Sequence, residues 1–160
     1  MNLYIMRHGQ AQLDATSDHL RALTQIGVDE TTEIGTWFNA HDFLLSHVIV
    51  SPYVRAQQTS QRFLAQQSQQ CTIETSDGFT PNANAKLAHD FIDASINLKP
   101  MTGLLIVAHM PLVSYLIAEL TGGAASPLFE TAAIAVVDYN TSAMRGTLTT
   151  LMSPELTRQR

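Results

Sequence analysis

Gly103-Leu104-Leu105-Ile106-Val107-Ala108-His109 is an apolar run that stops at a histidine. A short run of this kind predicts a strand buried on both faces, as in a parallel sheet that is covered by helices. Two further runs have the same form: Leu3-Tyr4-Ile5-Met6 precedes Arg7-His8-Gly9, and His47-Val48-Ile49-Val50-Ser51 is stopped by Pro52. These three stretches predict the central strands of one sheet.

Segments with helical spacing lie between the strands. The positions that recur at this spacing are Val28, Ile34, Trp37 and Phe38 after a Thr24 cap; Ala56, Thr59, Phe63 and Leu64 after Pro52; Leu87, Phe91, Ala94 and Leu98; and Leu112, Tyr115, Leu116 and Leu120 between Pro111 and Gly122-Gly123. Three more strands are predicted at 71–75, 132–139 and 146–152.

This alternation predicts an α/β fold. We expect a three-layer sandwich in which a mostly parallel central sheet of about six strands carries helices on both faces, with no large cap. The last two strands follow one another closely, so one of them is expected to be an antiparallel edge. No repeat, low-complexity tract or linker divides the sequence, and residues 1–160 are therefore expected to form a single domain.

The composition argues against several classes of protein. Hydrophobic residues make up 45% and charged residues 14% of the chain, which is typical of a globular protein, and the net charge of -5 argues against nucleic-acid binding. The single cysteine, Cys71, permits no internal disulfide and is expected in the core. Residues 1–6 lack the features of a secretory signal, and no run reaches the roughly 18 apolar residues of a membrane helix. We expect a cytoplasmic protein with no membrane partner.

The ends of the predicted central strands carry the candidate site residues. In open α/β sheets, ligands bind beyond the carboxyl ends of the strands, where Arg7-His8-Gly9, Ser51 and His109 would meet. Neutral imidazole can attack phosphorus, and guanidinium groups hold phosphate oxygens with paired hydrogen bonds. Arg55 falls in the first helical turn after Ser51, where free amides favour an anion. The pattern therefore predicts a phosphoryl site with His8, Arg7, Arg55 and His109.

Together these elements resemble the histidine phosphatase (phosphoglycerate-mutase-like) superfamily. Its Arg-His-Gly motif corresponds to residues 7–9, its Ser-x-x-x-Arg-Ala motif to residues 51–56, and its second histidine to His109. The resemblance runs along nearly the whole chain and is closer still to bacterial phosphohistidine phosphatases. It extends through Ile5-Met6-Arg7-His8-Gly9, Arg21-Ala22-Leu23-Thr24, Ser51-Pro52 and Pro111-Leu112-Val113.

The resemblance implies a role for each matching residue. His8 would be the nucleophile and would form a phosphohistidine intermediate that water resolves. Arg7, Arg55 and His109 would hold and neutralise the phosphoryl group, and Arg21 would be an additional phosphate contact. No metal or other cofactor is implied.

One element of the superfamily is missing from the sequence. Most members place a carboxylic acid in the pocket, expected here near residues 75–81, but Gly78 stands at that place and Asp77 precedes it. An alkoxide leaving group benefits from a general acid by roughly a hundredfold or more, whereas imidazole, with a pKa of about 6.5, leaves readily once protonated. We therefore expect the substrate to be phosphohistidine on a protein, such as a phosphotransfer domain of a signalling relay or a phosphocarrier. An Asp77 side chain within the pocket would weaken this prediction.

Two other functions stay open at this point: a small-molecule phosphomonoesterase of the same superfamily, and a non-catalytic module that binds phosphoproteins. A phosphoglycerate mutase would need a cap and an acid that the sequence does not supply. A metal site is not expected, because His89, Asp90 and Asp93 share a helical face only loosely. The remaining histidines, at positions 19, 41 and 47, are expected to be ordinary surface or strand-edge residues.

Overall fold

The structure, a computed structural model, describes residues 1–160. It contains a single sheet made of β1 (Asn2–Arg7), β2 (His47–Val50), β3 (Thr72–Thr75), β4 (Gly103–Ala108), β5 (Ile134–Asn140) and β6 (Arg145–Met152). The helices are α1 (Gln25–Asn39), α2 (Val54–Leu64), α3 (Ala85–Leu98), α4 (Leu112–Leu120) and α5 (Pro154–Arg158). Two 3₁₀ turns lie at Asp18–Leu20 and Asp77–Phe79. None of the helices combines the length and apolar character that crossing a bilayer requires.

The strand order is β3-β2-β4-β1-β5-β6. The first four strands in this order are parallel, β5 is antiparallel to β1, and β6 is antiparallel to β5. The prediction of a mostly parallel sheet with an antiparallel edge is confirmed. In the register of the sheet, Ala108 of β4 pairs with Arg7 of β1, and the preceding Val107 pairs with Val50 of β2. The residues that follow these three strands therefore lie side by side at one edge.

Side chains alternate across the sheet and build a separate core on each face. One core joins the sheet to α3 and α4, and its members include Leu3, Ile5, Leu104, Ile106, Ile92, Leu116 and Ile117. The other joins the sheet to α1 and α2, and its members include Tyr4, Met6, Val50, Leu105, Val107, Ile34, Phe38 and Phe63. Burial of each large apolar side chain is worth about 1.5–3 kcal/mol. The predicted three-layer sandwich is confirmed.

The ends of two helices follow the sequence signals. The Thr24 hydroxyl accepts a hydrogen bond from the Gly27 backbone N–H at 3.0 Å, which caps the start of α1 as predicted. Helix α4 ends before Gly122 and Gly123, whose φ angles are 63° and 86°. This left-handed backbone favours glycine, and it turns the chain away from the helix.

The predicted apolar face of α3 was wrong by one residue. Leu87 and Leu98 are 66% and 80% exposed, whereas Ala88, Ile92 and Ser95 are buried. Both sets share the same helical spacing, so periodicity alone could not choose between them. The buried set has the small residues Ala88 and Ser95 at its two ends, whereas the exposed set has Leu87 and Leu98 there. Similarly, one position predicted for the apolar face of α4, Tyr115, is 59% exposed.

A hydrogen-bonded cluster connects α3 to β5. The hydroxyl of buried Tyr139 donates to the Asp93 carboxylate at 2.5 Å and lies 2.8 Å from His89 Nε2. His89 Nε2 is also 3.3 Å from the second oxygen of Asp93. Burial, together with the Asp93 carboxylate, raises the pKa of Tyr139. The structure therefore gives His89 and Asp93 a structural role between the helix and the sheet.

We expect Tyr139→Phe to lower the free energy of unfolding by about 1–3 kcal/mol, because it leaves buried polar groups of the cluster without a partner. Equilibrium urea unfolding measures the change. Tyr115→Phe is the matched control, since its side chain is exposed; a surface change of this kind stays within about 0.5 kcal/mol. Equal losses in the two variants would contradict a stabilising role for the cluster.

Candidate active site

The structure brings the four predicted site residues together. His8 and His109 follow neighbouring strands, and the centroids of their rings are 5.1 Å apart. Arg55 lies in the first turn of α2, and its Nε is 3.2 Å from His8 Nε2. Arg7 is the last residue of β1, and its positive charge lowers the pKa of both histidines. The sequence predicted this meeting place correctly, while the role of each residue stays a prediction.

The contacts of His8 define which ring nitrogen is free to react. Its Nδ1 lies 2.7 Å from the Gly9 carbonyl oxygen, which only accepts hydrogen bonds, so Nδ1 carries the proton. The Nε of Arg55 only donates, so His8 Nε2 presents a lone pair to it. Both contacts favour the same neutral tautomer. In this form the Nε2 atom can attack phosphorus.

Burial keeps both histidines neutral. Only 7% of His8 and 1% of His109 is exposed. Burial lowers the pKa of His8 to about 4; the Gly9 carbonyl opposes this shift, and the charges of Arg55, Arg7 and Arg21 add to it. Burial also lowers the pKa of His109 to about 3, with further contributions from His8 and Arg55. A neutral nucleophile is therefore present well below pH 7.

The same shifts predict that the protein loses stability as the pH falls from about 7 to about 5. In that window folded His8 and His109 stay neutral, whereas unfolded histidines bind protons below about pH 6.5. Because the unfolded state binds more protons, each histidine lowers the free energy of unfolding by about 1.4 kcal/mol per pH unit below that point. Urea unfolding at about pH 7.5 and pH 5 measures the loss. The double variant His8→Gln with His109→Gln should show a shallower dependence on pH; an unchanged slope would contradict this origin.

Two buried nitrogen atoms at the site have no hydrogen-bond partner, namely Arg7 Nε and His109 Nδ1. The Arg7 side chain is held from its other end, because Nη1 donates to the Phe129 carbonyl oxygen at 2.8 Å. Leaving a buried donor unpaired costs about 1–3 kcal/mol. An oxyanion bound beside His8 would supply acceptors for such groups.

Ser51, the residue that follows β2, orients His109. Its hydroxyl oxygen lies 2.7 Å from His109 Nε2 and accepts a hydrogen bond from the Tyr53 backbone N–H at 3.3 Å. With its oxygen engaged by Tyr53, the Ser51 hydroxyl can donate its proton to His109 Nε2. That tautomer of His109 carries a proton on Nδ1, ready for an anionic ligand.

Gly9 is required by the packing of the site loop against α1. A Cβ atom at this position would lie 2.5 Å from the Gly27 carbonyl oxygen and 2.9 Å from the Thr31 hydroxyl. The Gly9 N–H donates to the Thr59 hydroxyl of α2 at 3.0 Å. The absence of a side chain at Gly9 therefore allows helix α1 to pack closely against the site loop.

Glu30 of α1 connects two loops at the site, although no motif or spacing in the sequence indicated a role for it. One carboxylate oxygen accepts from the Gln10 backbone N–H at 2.9 Å, and the other accepts from the Thr131 hydroxyl at 2.8 Å. The negative charge of Glu30 also acts on Arg7 and partly offsets the effect of burial, which lowers the pKa of that guanidinium. Glu30 therefore connects the segments of Gln10 and Thr131, and its charge favours the protonated form of Arg7.

Asp18, a second residue for which the sequence predicted no role, lies at the rim of the site. One of its carboxylate oxygens is 3.0 Å from Arg21 Nη1 and the other is 3.2 Å from Arg55 Nη2. Arg21 Nε also donates to the Gln12 carbonyl oxygen at 2.6 Å. The structure thus places Arg21 at the edge of the site, where its charge acts on His8. The only sequence signal for Asp18 was its position three residues before Arg21.

Asp77, the acid considered from the sequence, is exposed in its 3₁₀ turn. It forms no hydrogen bond or ion pair with Arg7, His8, Arg55 or His109. Residues 65–84 contain only β3 and this turn, so no helical cap is inserted there.

Comparisons with known proteins agree with this geometry. The family model for branch 1 of the histidine phosphatase superfamily matches residues 3–80. Phosphohistidine phosphatase SixA of Escherichia coli (strain K12) is 37% identical over 154 residues, which cover 96% of this chain and 94% of that protein. The SixA homolog of Haemophilus influenzae (strain ATCC 51907 / DSM 11121 / KW20 / Rd) is 36% identical over 76% of this chain and 78% of its own length.

A solved structure of the protein histidine phosphatase SixA complexed with tungstate superposes with a TM-score of 0.92. The two chains are 36% identical in sequence, and the superposition covers 98% of this chain and 99% of that one. The likeness therefore includes the whole three-layer architecture and the edge of the sheet where His8 lies.

Proposed function

This chain belongs to the histidine phosphatase superfamily, and we propose that it is a phosphatase that hydrolyses phosphohistidine on a partner protein. The relatives named as phosphohistidine phosphatases, at 37% and 36% identity, support this substrate class. The geometry around His8 supports a covalent route. The proposal includes the cytoplasmic location expected from the sequence.

In the first step, His8 Nε2 attacks the phosphorus of the substrate. The new bond joins phosphorus to Nε2, and the bond from phosphorus to the substrate imidazole breaks. Arg7, Arg55 and His109 donate hydrogen bonds to the phosphoryl oxygens as charge develops on them, and Arg21 contributes at the rim. The substrate histidine, protonated on its other ring nitrogen, leaves as a neutral imidazole.

In the second step, water attacks phosphorus and the bond to Nε2 breaks. His8 keeps the Nδ1 proton that it shares with the Gly9 carbonyl throughout, so it too leaves phosphorus as a neutral imidazole. The proton lost by water goes to the phosphate product. Neither step requires a carboxylic acid to protonate the leaving group.

One observation carries the choice of substrate: the carboxylate that touches the site is unsuited to act as an acid. Asp18 is paired with Arg21 and Arg55, and these contacts hold its pKa below the usual range, so it is ionised near neutral pH. An alkoxide leaving group would gain roughly a hundredfold or more from a proton donor. Imidazole needs no such donor, which favours phosphohistidine over a phosphate ester.

The partner is a histidine-phosphorylated protein, either a phosphotransfer domain of a signalling relay or a phosphocarrier. The absence of an inserted cap between α2 and α3 supports a macromolecular substrate, since a side chain presented on a folded surface needs an open approach. Which of the two carriers the protein serves depends on the surface around the site.

A direct assay tests the proposal. The protein is incubated, with a chelator present, with a phosphocarrier phosphorylated on histidine and separately with phosphoserine, an ester whose alkoxide leaving group needs a general acid. Hydrolysis of only the phosphohistidine supports the proposal. Faster turnover of the ester would favour a small-molecule phosphomonoesterase, and no turnover of either would favour a non-catalytic binding module.

A further inference from the structure

We propose that Asp18 is an internal competitor of the phosphoryl group, and that its carboxylate weakens the hold of the site on the inorganic phosphate product. This inference rests on the proposed function, because it concerns the same phosphoryl site. It assigns a role to a residue that carries no part of the Arg-His-Gly or Ser-x-x-x-Arg-Ala motifs.

The first argument is the position of the carboxylate. Its two oxygens contact the guanidinium groups of Arg21 and Arg55, which are two of the cations proposed to hold phosphate. A carboxylate and a phosphate present similar pairs of oxygen acceptors to a guanidinium fork. Phosphate therefore either displaces the carboxylate from these arginines or binds close to its negative charge. Both cases reduce the affinity for phosphate.

The second argument is that Arg55 does not depend on the carboxylate for its orientation. Its Nε contacts His8 Nε2 at 3.2 Å, and its Nη1 donates to the backbone carbonyl oxygen of Asp18 at 2.8 Å. Only 4% of Arg55 is exposed. Removal of the side-chain charge of Asp18 thus leaves the buried arginine held by two other contacts. The carboxylate itself is 54% exposed and can move away.

The consequence concerns product release. A site with two buried histidines and three arginines would bind a phosphate dianion tightly, and a tightly bound product slows each turnover. An exposed carboxylate that pairs again with Arg21 and Arg55 as phosphate leaves would favour release. The same residue would scarcely affect the chemical steps, which take place at His8 Nε2.

The test measures binding of inorganic phosphate to the full chain by isothermal titration calorimetry, together with product inhibition in the phosphohistidine assay. For Asp18→Asn we expect phosphate to bind about tenfold more tightly. The variant lacks two partly exposed ion pairs with the arginines, and each of these pairs lowers the affinity for phosphate by roughly a few-fold. Asp18→Ala should show the same direction, which separates loss of charge from a new amide donor. Asp14→Asn is the control, because it removes an equal charge from an exposed residue of the same loop.

The outcomes separate this inference from the proposed function. Tighter phosphate binding in both Asp18 variants, with stronger product inhibition, supports the competitor role. Unchanged or weaker binding, or an equal gain in Asp14→Asn, overturns it while phosphatase activity of the parent protein still stands. If the parent protein neither binds phosphate nor turns over phosphohistidine, the proposed function fails, and the competitor role fails with it.

Discussion

Replacement of His8 with alanine is expected to reduce turnover of a histidine-phosphorylated carrier by at least about 10⁴-fold. The proposed reaction passes through a bond to His8 Nε2, and removal of a nucleophile of this kind abolishes the covalent route entirely. Turnover is measured by the loss of phosphohistidine from the carrier. Quenching in alkaline denaturant, followed by denaturing gels with labelled phosphate, should show phosphate on the parent protein and none on the variant.

The fold should survive the His8→Ala change. His8 lies beyond the end of β1 and does not belong to either apolar core. We expect a stability change of no more than about 1–2 kcal/mol, with an unchanged circular dichroism spectrum. His41→Ala, at an exposed histidine, serves as the control and should retain full activity. Substantial turnover by His8→Ala would remove the proposed nucleophile.

The second large effect is expected for Arg55→Ala, with a loss of about 10²–10³-fold in kcat/KM. This arginine is buried, contacts the nucleophilic nitrogen, and is proposed to bind the phosphoryl group, so its loss affects both binding and rate. Steady-state kinetics measure the change, and calorimetry should show weaker binding of phosphate.

Two comparisons make the Arg55 prediction specific. Arg62→Ala removes an exposed arginine from the same helix and should have little effect. Arg55→Lys keeps the charge but loses the planar fork that contacts His8 and Asp18 simultaneously, so it should recover only part of the activity. A normal response of Arg55→Ala to phosphate would place this residue outside the site.

The sheet was predictable because its central strands are buried on both faces. A run such as Leu104 to Ala108 has no competing interpretation as an amphipathic helix, and the residue that follows each run falls at the carboxyl edge. The meeting of His8, Arg55 and His109 therefore followed from the parallel direction of these strands, although the three residues are far apart in the chain.

Other features could not be predicted because they depend on contacts between distant segments. The Asp18 carboxylate reaches Arg55 across 37 positions, and Glu30 reaches Thr131 across 101. Asp18 also lies in a segment without helical or strand periodicity, so no pattern orients its side chain. Similarly, the exposure of Leu87 is decided by the rotation of α3 about its own axis, which turns Ala88 and Ile92 toward the core, and the helical spacing does not encode that rotation.

The hydrogen bond between His8 Nδ1 and the Gly9 carbonyl has a regiochemical consequence. With the pros nitrogen occupied by this contact, only the tele nitrogen is open to modification, so the enzyme intermediate must be the tele isomer. Substituted on both nitrogens, that ring is a cation, which makes the phosphoenzyme short-lived. Isomer-selective antibodies or ³¹P spectroscopy of rapidly quenched enzyme should therefore detect one species of modified histidine.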